Sequence, residues 1–498
     1  MSEVKNLPQG WIEDDLESFA KIDMGQSPDS IYYNTDGLGL PFFQGKTEFC
    51  LQYPVVRKWC SEPKKIANEG DILLSIRAPV GPTNIARTES CIGRGLAAIR
   101  GESDINQFYL FYFFRHIESW LSTQGTGSTF AAISGEFVRA IKVPIAPKNE
   151  QTRIVNKLEE LLTDLDAGVN ELKTAQKKLT QYRQSLLKAA VEGALTAEWR
   201  ANNISSESGN QLLERILKER RVRWEQKQLD KFNEQGKTPP KDWQSKYSEP
   251  VKPDTTGLME LPEGWVWTCI GQSFHVAVGA TPSRKEPTYW NGDIPWVSSG
   301  EVRFTHITDT KEKISADGLK NSSTNINPIG SVLLGMIGEG KTRGQVSILD
   351  IEAANNQNCA AIWTSETDIP SEYVYYWLWS RYEETRKGSS GNNQPALNKS
   401  IVEKIPMPLP PVAELEQLTQ FLSIALDGVA NQEKFIEHSL KQSAAQRKNI
   451  LKAAFSGQLV PQDPNDEPAS VLLERIKAER VAQEKLPKKR NSKATVTP

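Results

Sequence analysis

The strongest constraint in this sequence is an internal repeat, because a unit that occurs twice must fold twice within one chain. The motif LPQGW at residues 7–11 returns as LPEGW at residues 261–265. Further landmarks recur in the same order: GDILLS from Gly70 with GSVLLG from Gly330, YLFYFF from Tyr109 with YVYYWL from Tyr373, Gly127 with Gly391, VPIAP from Val143 with MPLPP from Met407, LKAAVEGAL from Leu187 with LKAAFSGQL from Leu451, and LLERI from Leu212 and again from Leu472. Chance similarity would not keep this order, so the 498 residues predict two copies of one architectural unit.

Each copy predicts a globular part followed by a long helix. The globular parts, residues 7–141 and 261–405, contain short β-like runs separated by Gly, Pro and Asn turns. Each part also contains one aromatic helical pattern, near residues 109–121 and 373–385. Short strands combined with a helix predict a mixed α+β fold in both parts.

A seven-residue apolar period predicts the long helices. Leucine recurs in the first helix at Leu158, Leu165, Leu172, Leu179 and Leu186, with Ile154, Leu161, Ala175 and Tyr182 in the companion row. The second helix keeps this register at Leu422, Val429 and Ile436, and Ile450 resumes it after Ser443. Such a seam is typical of a coiled coil, and each helix would have about 40 residues and a length of roughly 60 Å. The simplest arrangement is an antiparallel pair with pseudo-twofold symmetry and a globular part at each end.

Composition excludes several classes of function. Lys and Arg total 60 and Asp and Glu total 62, so any DNA contact must be local. Four histidines and five scattered cysteines form no metal-ligand or disulfide pattern, and no cofactor is expected. The sequence has neither an apolar run of about 18 residues nor a secretory signal. We therefore expect a cytoplasmic protein that does not enter the membrane.

The repeated motifs resemble those of the specificity (S) subunit of type I restriction-modification systems. The resemblance covers nearly the whole chain and depends on the order of the motifs: the two LP-x-GW starts, GDILLSIRAPVG at residues 70–81, GSTFAAIS from Gly127, the proline-rich entry before Glu150 and Gln151, and LKAAVEGALTAEWR at residues 187–200. It implies target-recognition domains at 1–147 and 258–411, helical spacers at 148–230 and 412–484, a linker at 231–257, and a basic disordered tail at 485–498.

The resemblance also implies a function. Each globular part would recognise half of a bipartite double-stranded DNA target, and the helices would fix the spacing and dock DNA methyltransferase subunits. The chain itself would be noncatalytic, because deoxyribonuclease, translocase and adenine methyltransferase activities would belong to partner subunits. The alternative is a coiled-coil scaffold or adaptor with two protein-binding domains.

Candidate DNA-contacting residues are polar or basic side chains in loops beside strands, because such side chains form hydrogen bonds with base edges. In the first globular part they are Gln26, Ser27, Tyr32, Gln44, Lys46, Arg77 and Arg94. In the second they are Ser283, Arg284, Lys285, Ser298, Lys341, Arg343, Asn356 and Gln357. Each could instead be an ordinary solvated or turn-forming residue.

Two further motifs have alternative interpretations. Residues 335–342, GMIGEGKT, match a phosphate-binding loop. Such a loop requires a helix after its Lys-Thr pair, whereas residues 343–349 predict a turn and a strand, so we favour DNA contacts for Lys341 and Arg343. A basic helical stretch contains Arg215, Lys218, Arg220, Arg221 and Arg223 beside Trp224. This stretch could contact DNA or a partner protein, or it could be a solvated helix face.

Residues 233–257 predict an exposed linker.

Overall fold

The computed structural model describes residues 7–102, 104–126, 131–338, 341–387 and 397–484. The described residues form two compact units. Unit 1 comprises those of Met1–Thr174 and Ile436–Pro498, and unit 2 comprises those of Ala175–Phe435. The sequence landmarks Gly127 and Gly391 and the tail from Lys485 lie outside the described residues. Within the described ranges, no helix combines the length and the apolarity that crossing a bilayer would require.

The first globular region lies in unit 1 and combines three sheets with two helices. Its strands are β1 (Ile12–Asp15), β2 (Ala20–Met24), β3 (Tyr33–Asn34), β4 (Leu40–Phe43), β5 (Trp59–Cys60), β6 (Ile66–Ala67), β7 (Ile72–Ser75), β8 (Thr83–Ile85), β9 (Ser90–Ile92), β10 (Leu96–Gly101) and β11 (Lys142–Ile145). Its helices are α1 (Gln107–Gln124) and α2 (Gly135–Arg139). The sheet orders are β2-β10-β7-β8, β3-β5-β4-β9-β6 and β1-β11.

Strand β7 lies between two apolar layers, which explains its continuous apolar run. Side chains alternate along a strand, so Ile72 and Leu74 pack in the core that contains α1, whereas Leu73 faces a second cluster with Phe43. Helix α1 begins after Asn106, whose side chain accepts hydrogen bonds from the first-turn backbone amides. The sheet therefore has apolar packing on both of its faces.

Three helices separate the two globular regions in sequence, namely α3 (Lys148–Val191), α4 (Ala197–Asn202) and α5 (Gly209–Glu234). After the second region come α11 (Val412–Phe455) and α12 (Ala469–Glu484). Helices α3 and α11 each contain 44 residues, which confirms the predicted length.

The second globular region lies in unit 2. Its strands are β12 (Val266–Cys269), β13 (His275–Val278), β14 (Trp290–Val297), β15 (His306–Ile307), β16 (Glu312–Ile314), β17 (Val332–Gly335), β18 (Val346–Leu349), β19 (Ala354–Asn355), β20 (Cys359–Trp363) and β21 (Pro406–Leu409). Its helices are α6 (Ile270–Ser273), α7 (Ala316–Lys320), α8 (Ser371–Ser380), α9 (Tyr382–Lys387) and α10 (Lys399–Glu403). The sheet orders are β13-β20-β17-β18-β15, β16-β14-β19 and β12-β21. The mixed α+β prediction is confirmed.

Two local predictions are wrong. The aromatic pattern at residues 373–385 forms two helices, because α8 ends at Ser380 and the amide of Arg381 closes a turn on the Leu378 carbonyl. Tyr182, predicted in the companion row of the seam, is 53% exposed. Its neighbour Arg183 makes the contacts instead, packing on an aromatic ring of α8.

Each globular core is completed by helix segments that follow the other globular region in sequence. In unit 1 the ring of Phe455, at the end of α11, lies 5.1 Å from that of Tyr109 and 5.5 Å from that of Phe113. In unit 2 the C-terminal end of α3 and the start of α5 join the core around Trp265, through residues such as Leu187 and Leu212. The start of the helix that directly follows each region packs in the same core, through residues such as Leu158 in unit 1 and Leu422 in unit 2.

Candidate nucleic-acid interface

Three loops of unit 1 meet beside the sheets of the first globular region. Residues 25–27 follow β2, residues 44–46 follow β4, and residues 93–95 join β9 to β10. The amide of Gln26 donates to the Ile92 carbonyl at 3.1 Å, and the amide of Gly93 donates to the Phe43 carbonyl at 2.8 Å. Because backbone hydrogen bonds connect all three loops, their side chains have fixed relative positions.

Glycines allow this close approach. A Cβ atom at Gly25 would lie 2.2 Å from the Gly93 carbonyl oxygen, and a Cβ at Gly95 would lie 2.3 Å from the Gln44 carbonyl oxygen. A side chain at either position would therefore push two loops apart. Gln26, Gln44 and Arg94 are exposed around this contact, so the structure brings three predicted residues together.

The remaining predicted residues of unit 1 differ in their placement. Ser27 supports the site, because its hydroxyl accepts a hydrogen bond from the Arg94 amide at 3.2 Å. Arg77 is exposed and follows Ile76, whose amide donates to the Gly95 carbonyl. Lys46 is exposed and is the first residue of the short helical turn that follows Gln44 and Gly45.

Tyr32 belongs to a different cluster. It packs with Phe42, Cys60 and Cys91. The negative charge of Glu62 raises the pKa of its hydroxyl. The structure therefore does not join Tyr32 to the loop contact around Gly93.

Unit 2 repeats the same loop connections. The amide of Asn356 donates to the Val297 carbonyl at 3.0 Å, the counterpart of the Gly93–Phe43 bond. The amide of Met336 donates to the Asn358 carbonyl at 2.8 Å, the counterpart of the Ile76–Gly95 bond. A Cβ atom at Gly279 would lie 1.8 Å from a backbone oxygen, as at Gly25. Equivalent loops therefore meet in both units, and we call each set the recognition loops. In unit 1 they are residues 25–27, 44–46, 76–77 and 93–95, and in unit 2 they are residues 279–285, 298–301, 336–338 with 341–345, and 356–358.

Several predicted residues of unit 2 support the loops themselves. The hydroxyl of Ser298 donates to a carboxylate oxygen of Glu301 at 2.8 Å and caps a short turn. Asn356 is buried, and its side-chain oxygen accepts from the Asn358 amide at 3.1 Å. Both side chains are therefore already engaged within the fold.

Other predicted residues of unit 2 remain exposed. Gln357 accepts a hydrogen bond from the Thr281 hydroxyl at 2.6 Å and is exposed, as are Ser283 and Lys285. The Thr281–Gln357 contact occupies the same place as the Ser27–Arg94 contact of unit 1. Sequence reasoning missed Thr281, although aligning GQSP at residue 25 with GATP at residue 279 would have identified it.

Arg284 is held by its neighbours. Its guanidinium pairs with both carboxylate oxygens of Glu312, at 2.9 Å between Nη2 and Oε2, and lies 3.6 Å from the ring centroid of Trp290. Hydrogen bonds from Arg284 lower the pKa of Glu312, and the same pairing raises the pKa of Arg284. The pairing with Glu312 uses two of the five N–H donors of Arg284 and fixes the direction of its side chain.

The segment with the phosphate-loop pattern continues as a strand, as predicted. Residues 339 and 340 lie outside the described residues, and β18 begins at Val346 after a turn in which the Gly344 amide donates to the Gly335 carbonyl. Lys341 is exposed, and Arg343 is half-buried with an Nε that has no hydrogen-bond partner among the described residues. The described residues 341–344 form turns, so this part of the segment provides no helix N-terminus to bind a phosphate.

Most of the predicted residues that are exposed in the recognition loops carry an amide, guanidinium or ammonium group, and Ser283 carries a hydroxyl. These groups form hydrogen bonds with base edges and phosphates in DNA grooves. Among the described residues, no group of three or more His, Cys, Asp or Glu side chains could hold a metal ion. The side chains of the recognition loops therefore suit hydrogen bonding to DNA.

Comparisons with known proteins agree on one family. A family model described as "Type I restriction modification DNA specificity domain" matches residues 14–178 and 262–438. The putative type I restriction enzyme MjaX specificity subunit of Methanocaldococcus jannaschii is 38% identical over 184 residues, which are 36% of this chain and 43% of that protein. The type I restriction enzyme EcoDI specificity subunit of Escherichia coli is 22% identical over 492 residues and 96% of each chain.

A solved structure extends this similarity to the fold. It comes from a study of complex assembly and conformational transition in a type I R-M system. Its TM-score is 0.65 at 16% identity, and the match covers 91% of this chain and 99% of that chain.

Proposed function

Because the chain belongs to the family of type I restriction-modification DNA specificity proteins, we propose that each of its two globular regions recognises one half of a bipartite double-stranded DNA target. The observation that carries this proposal is the recurrence of the recognition loops in both units. Two recognition domains joined in one chain bind strongly only where both half-sites occur at the matching separation. Binding of the first domain raises the effective concentration of the second domain at its half-site.

In this function, recognition belongs to residues 1–147 and 258–411, spacing to residues 148–230 and 412–484, and a linker role to residues 231–257. The exposed residues Gln26, Gln44 and Arg94 of unit 1, together with Gln357 of unit 2, are the first candidates for base contacts. Lys46, Arg77, Lys285 and Lys341 are the candidates for phosphate contacts, because lysine ammonium and arginine guanidinium groups both bind phosphate oxygens.

We also propose that α3 and α11 form an antiparallel coiled coil, with pseudo-twofold symmetry between the two copies. Two ion pairs support it. In unit 1, Arg447 of α11 pairs with Asp166 of α3, and in unit 2, Arg183 of α3 pairs with Glu433 of α11. From the first pair to the second, the position in α3 moves forward from Asp166 to Arg183, while the position in α11 moves back from Arg447 to Glu433. Antiparallel packing requires this opposite order.

In this function the chain recognises the DNA target and catalyses no reaction. Methylation would be carried out by DNA methyltransferase subunits that dock on the helices, and translocation and cleavage by restriction subunits. The names of the relatives support this division, because the MjaX and EcoDI proteins are specificity subunits of restriction enzymes.

Selection from a random-sequence duplex library tests the proposal. The chain would be used alone and with its cognate methyltransferase subunit, and we expect enrichment of two short sequence blocks at a fixed spacing. A protein-binding scaffold, the alternative function, would enrich no sequence under either condition. A variant with Gln26, Gln44 and Arg94 replaced by Ala provides an internal control, because it should lose one block and keep the other.

A further inference from the structure

A groove beside helix α5 in unit 2 carries chemistry that the recognition loops do not use. Its volume is about 690 Å³. One wall is the second half of α5, and the opposite wall is the segment around Lys246 and Tyr247. This segment was predicted as an exposed linker, yet the ring of Tyr247 packs at 5.3 Å from that of Trp224 on α5.

Positive charge dominates the groove. Arg220, Arg223, Lys227 and Lys231 are spaced so that they share one face of α5, and together they form a row of about 16 Å. Lys246 adds a fifth cation from the opposite wall. Three carboxylates also line the groove, namely Asp230, Glu234 and Glu366, which leaves a net charge of +2 from five positive and three negative groups.

Part of this charge is not neutralised, although Arg223 also pairs with Glu219 at 3.7 Å. Glu366 lies 3.6 Å from both Arg223 and Lys227, a distance that allows an ion pair but is too long for a hydrogen bond. Lys231 and Lys246 form no ion pair with any described residue. Basic side chains of the groove are therefore available to an anionic ligand.

Two buried donors in the groove have no hydrogen-bond partner among the described residues. They are Nε of Arg223 and the hydroxyl of Tyr247. The hydroxyl of Tyr247 is protonated at neutral pH because the ordinary pKa of tyrosine is about 10, and burial raises this pKa further. Because these two atoms are covered, the exposed ammonium groups of Lys231 and Lys246 would make the first contacts with an anionic ligand.

Three of the basic residues that line the groove occur in only one of the two copies of the internal repeat. Arg220 donates to the Gly271 carbonyl at 2.6 Å, and its counterpart Arg480 in unit 1 donates to the Glu17 carbonyl at 2.7 Å. After Arg220 and Arg480 the sequences of the two copies diverge. The positions that correspond to Arg223, Lys227 and Lys231 are Gln483, Pro487 and Asn491. A role in DNA reading, which both copies share, therefore does not explain the basic face.

The groove is also separated from the recognition loops. Strand β13 begins at His275, which lines the groove, and ends at Val278, just before the loop at residues 279–285. Strand β20 runs the opposite way, from the loop at residues 356–358 toward Glu366. The groove and the loops thus lie at opposite ends of this strand pair, about 13 Å apart along the strands.

The aromatic rings of the groove argue against a single-stranded nucleic acid. Trp224 lies against Trp243, with ring centroids 6.0 Å apart, and against Tyr247. Base stacking needs a free aromatic face, and these rings pack on one another. Carboxylates need no such face, and they match a guanidinium through paired hydrogen bonds.

We propose that this groove binds an acidic, carboxylate-rich peptide segment of a partner protein. The row of cations along α5 has the length of about five extended residues. Binding there would attach a partner to unit 2 independently of DNA reading.

Fluorescence anisotropy of the full chain tests the proposal, with a labelled decapeptide of alternating Asp and Glu and a labelled ten-nucleotide thymidine strand as probes. We expect the peptide to bind more tightly than the oligonucleotide. Replacing Lys231 and Lys246 by Glu should weaken peptide binding at least about tenfold. The matched control, Lys237→Glu with Lys252→Glu, makes the same charge change at exposed positions that do not line the groove, and should stay within about twofold.

Three outcomes would overturn the proposal: no peptide binding, equal losses in both double variants, or tighter binding of the oligonucleotide through the same two lysines. Thermal unfolding of each variant verifies that the chain is folded. Tyr247→Phe, which removes only a hydroxyl, should weaken peptide binding by a smaller factor. The DNA selection above is independent, so its failure would not affect the peptide result.

Discussion

Two carboxylates at equivalent positions of the repeat have different surroundings. Both are 1% exposed. Glu150 accepts a hydrogen bond from the indole of Trp11 at 3.0 Å, but its Oε1 has no partner among the described residues. Glu414 accepts from Trp265 at 2.9 Å and also pairs with Arg200. Burial raises the pKa of Glu150, which lacks such a cationic partner within hydrogen-bonding distance.

This contrast predicts opposite effects of two identical substitutions. The pKa of Glu150 is higher in the folded than in the unfolded chain, so its contribution to stability is present at low pH and lost as the pH rises through the folded value. At pH 7, Glu150→Gln should raise the free energy of unfolding by about 1 kcal/mol. Glu414→Gln should lower it by about 3 kcal/mol, because Arg200 loses its partner.

Chemical denaturation of the two variants between pH 5 and 8 measures both effects. Glu150→Gln should also flatten the loss of stability with rising pH. Destabilisation by Glu150→Gln at pH 7 would contradict the assigned surroundings of this carboxylate.

Arg94 and Gln357 occupy equivalent positions in the two sets of recognition loops, and substituting them tests base contact. Each Ala variant should relax the sequence preference in one half-site only, at a cost of about 1–3 kcal/mol if the side chain contacts a base. Binding to duplexes mutated in one block at a time measures this. Equal weakening on all sequences would instead identify a phosphate contact.

Residue type alone predicted only part of this site. Gln26 and Arg94 could be selected because they are polar residues beside strands. The same criterion also selected Asn356, which is buried, and Arg284, which is paired with Glu312. The burial of Asn356 depends on its backbone bond to Val297, and Arg284 pairs with a carboxylate on β16, so segments distant in sequence determine both environments.

At the scale of elements, local periodicity was sufficient for the long helices. Their 44-residue lengths follow from apolar spacing that each segment carries itself. The end of α8 at Ser380 was not predictable in this way. Beyond it, the hydroxyl of Tyr382 donates to the Lys341 carbonyl, a contact between distant segments.

Gly168 lies in the middle of α3 with open space around its Cα, so it tests the contribution of helix propensity. Gly168→Ala should raise the free energy of unfolding by about 1 kcal/mol, because Ala loses less backbone entropy in a helix. The matched substitution Gly95→Ala should have the opposite sign, since its Cβ would lie 2.3 Å from a backbone oxygen. Thermal denaturation distinguishes them, and stabilisation by both would contradict the tight loop contact.

At the scale of the whole molecule, the proposed spacer makes a geometric prediction. Inserting one heptad after Thr174 and another after Phe435 preserves the seam register and adds about 10 Å to each helix. The recognised half-sites should keep their sequences, and the spacing between them should grow by about three base pairs. Library selection measures both quantities. Changed half-sites with an unchanged spacing would contradict the spacer role.

The sequence by itself determined the repeat, the α+β class, the helix lengths and the family. All of these depend on patterns within short segments or on their order. Only the tertiary structure decided which helix segment completes which core. Phe455 packs on Tyr109, although hundreds of residues separate them, and Leu187 joins the core of the second globular region. The tertiary structure also decided which loop side chains remain exposed and that the cations of α5 face a groove. Such contacts form between segments distant in sequence, and no local pattern specifies them.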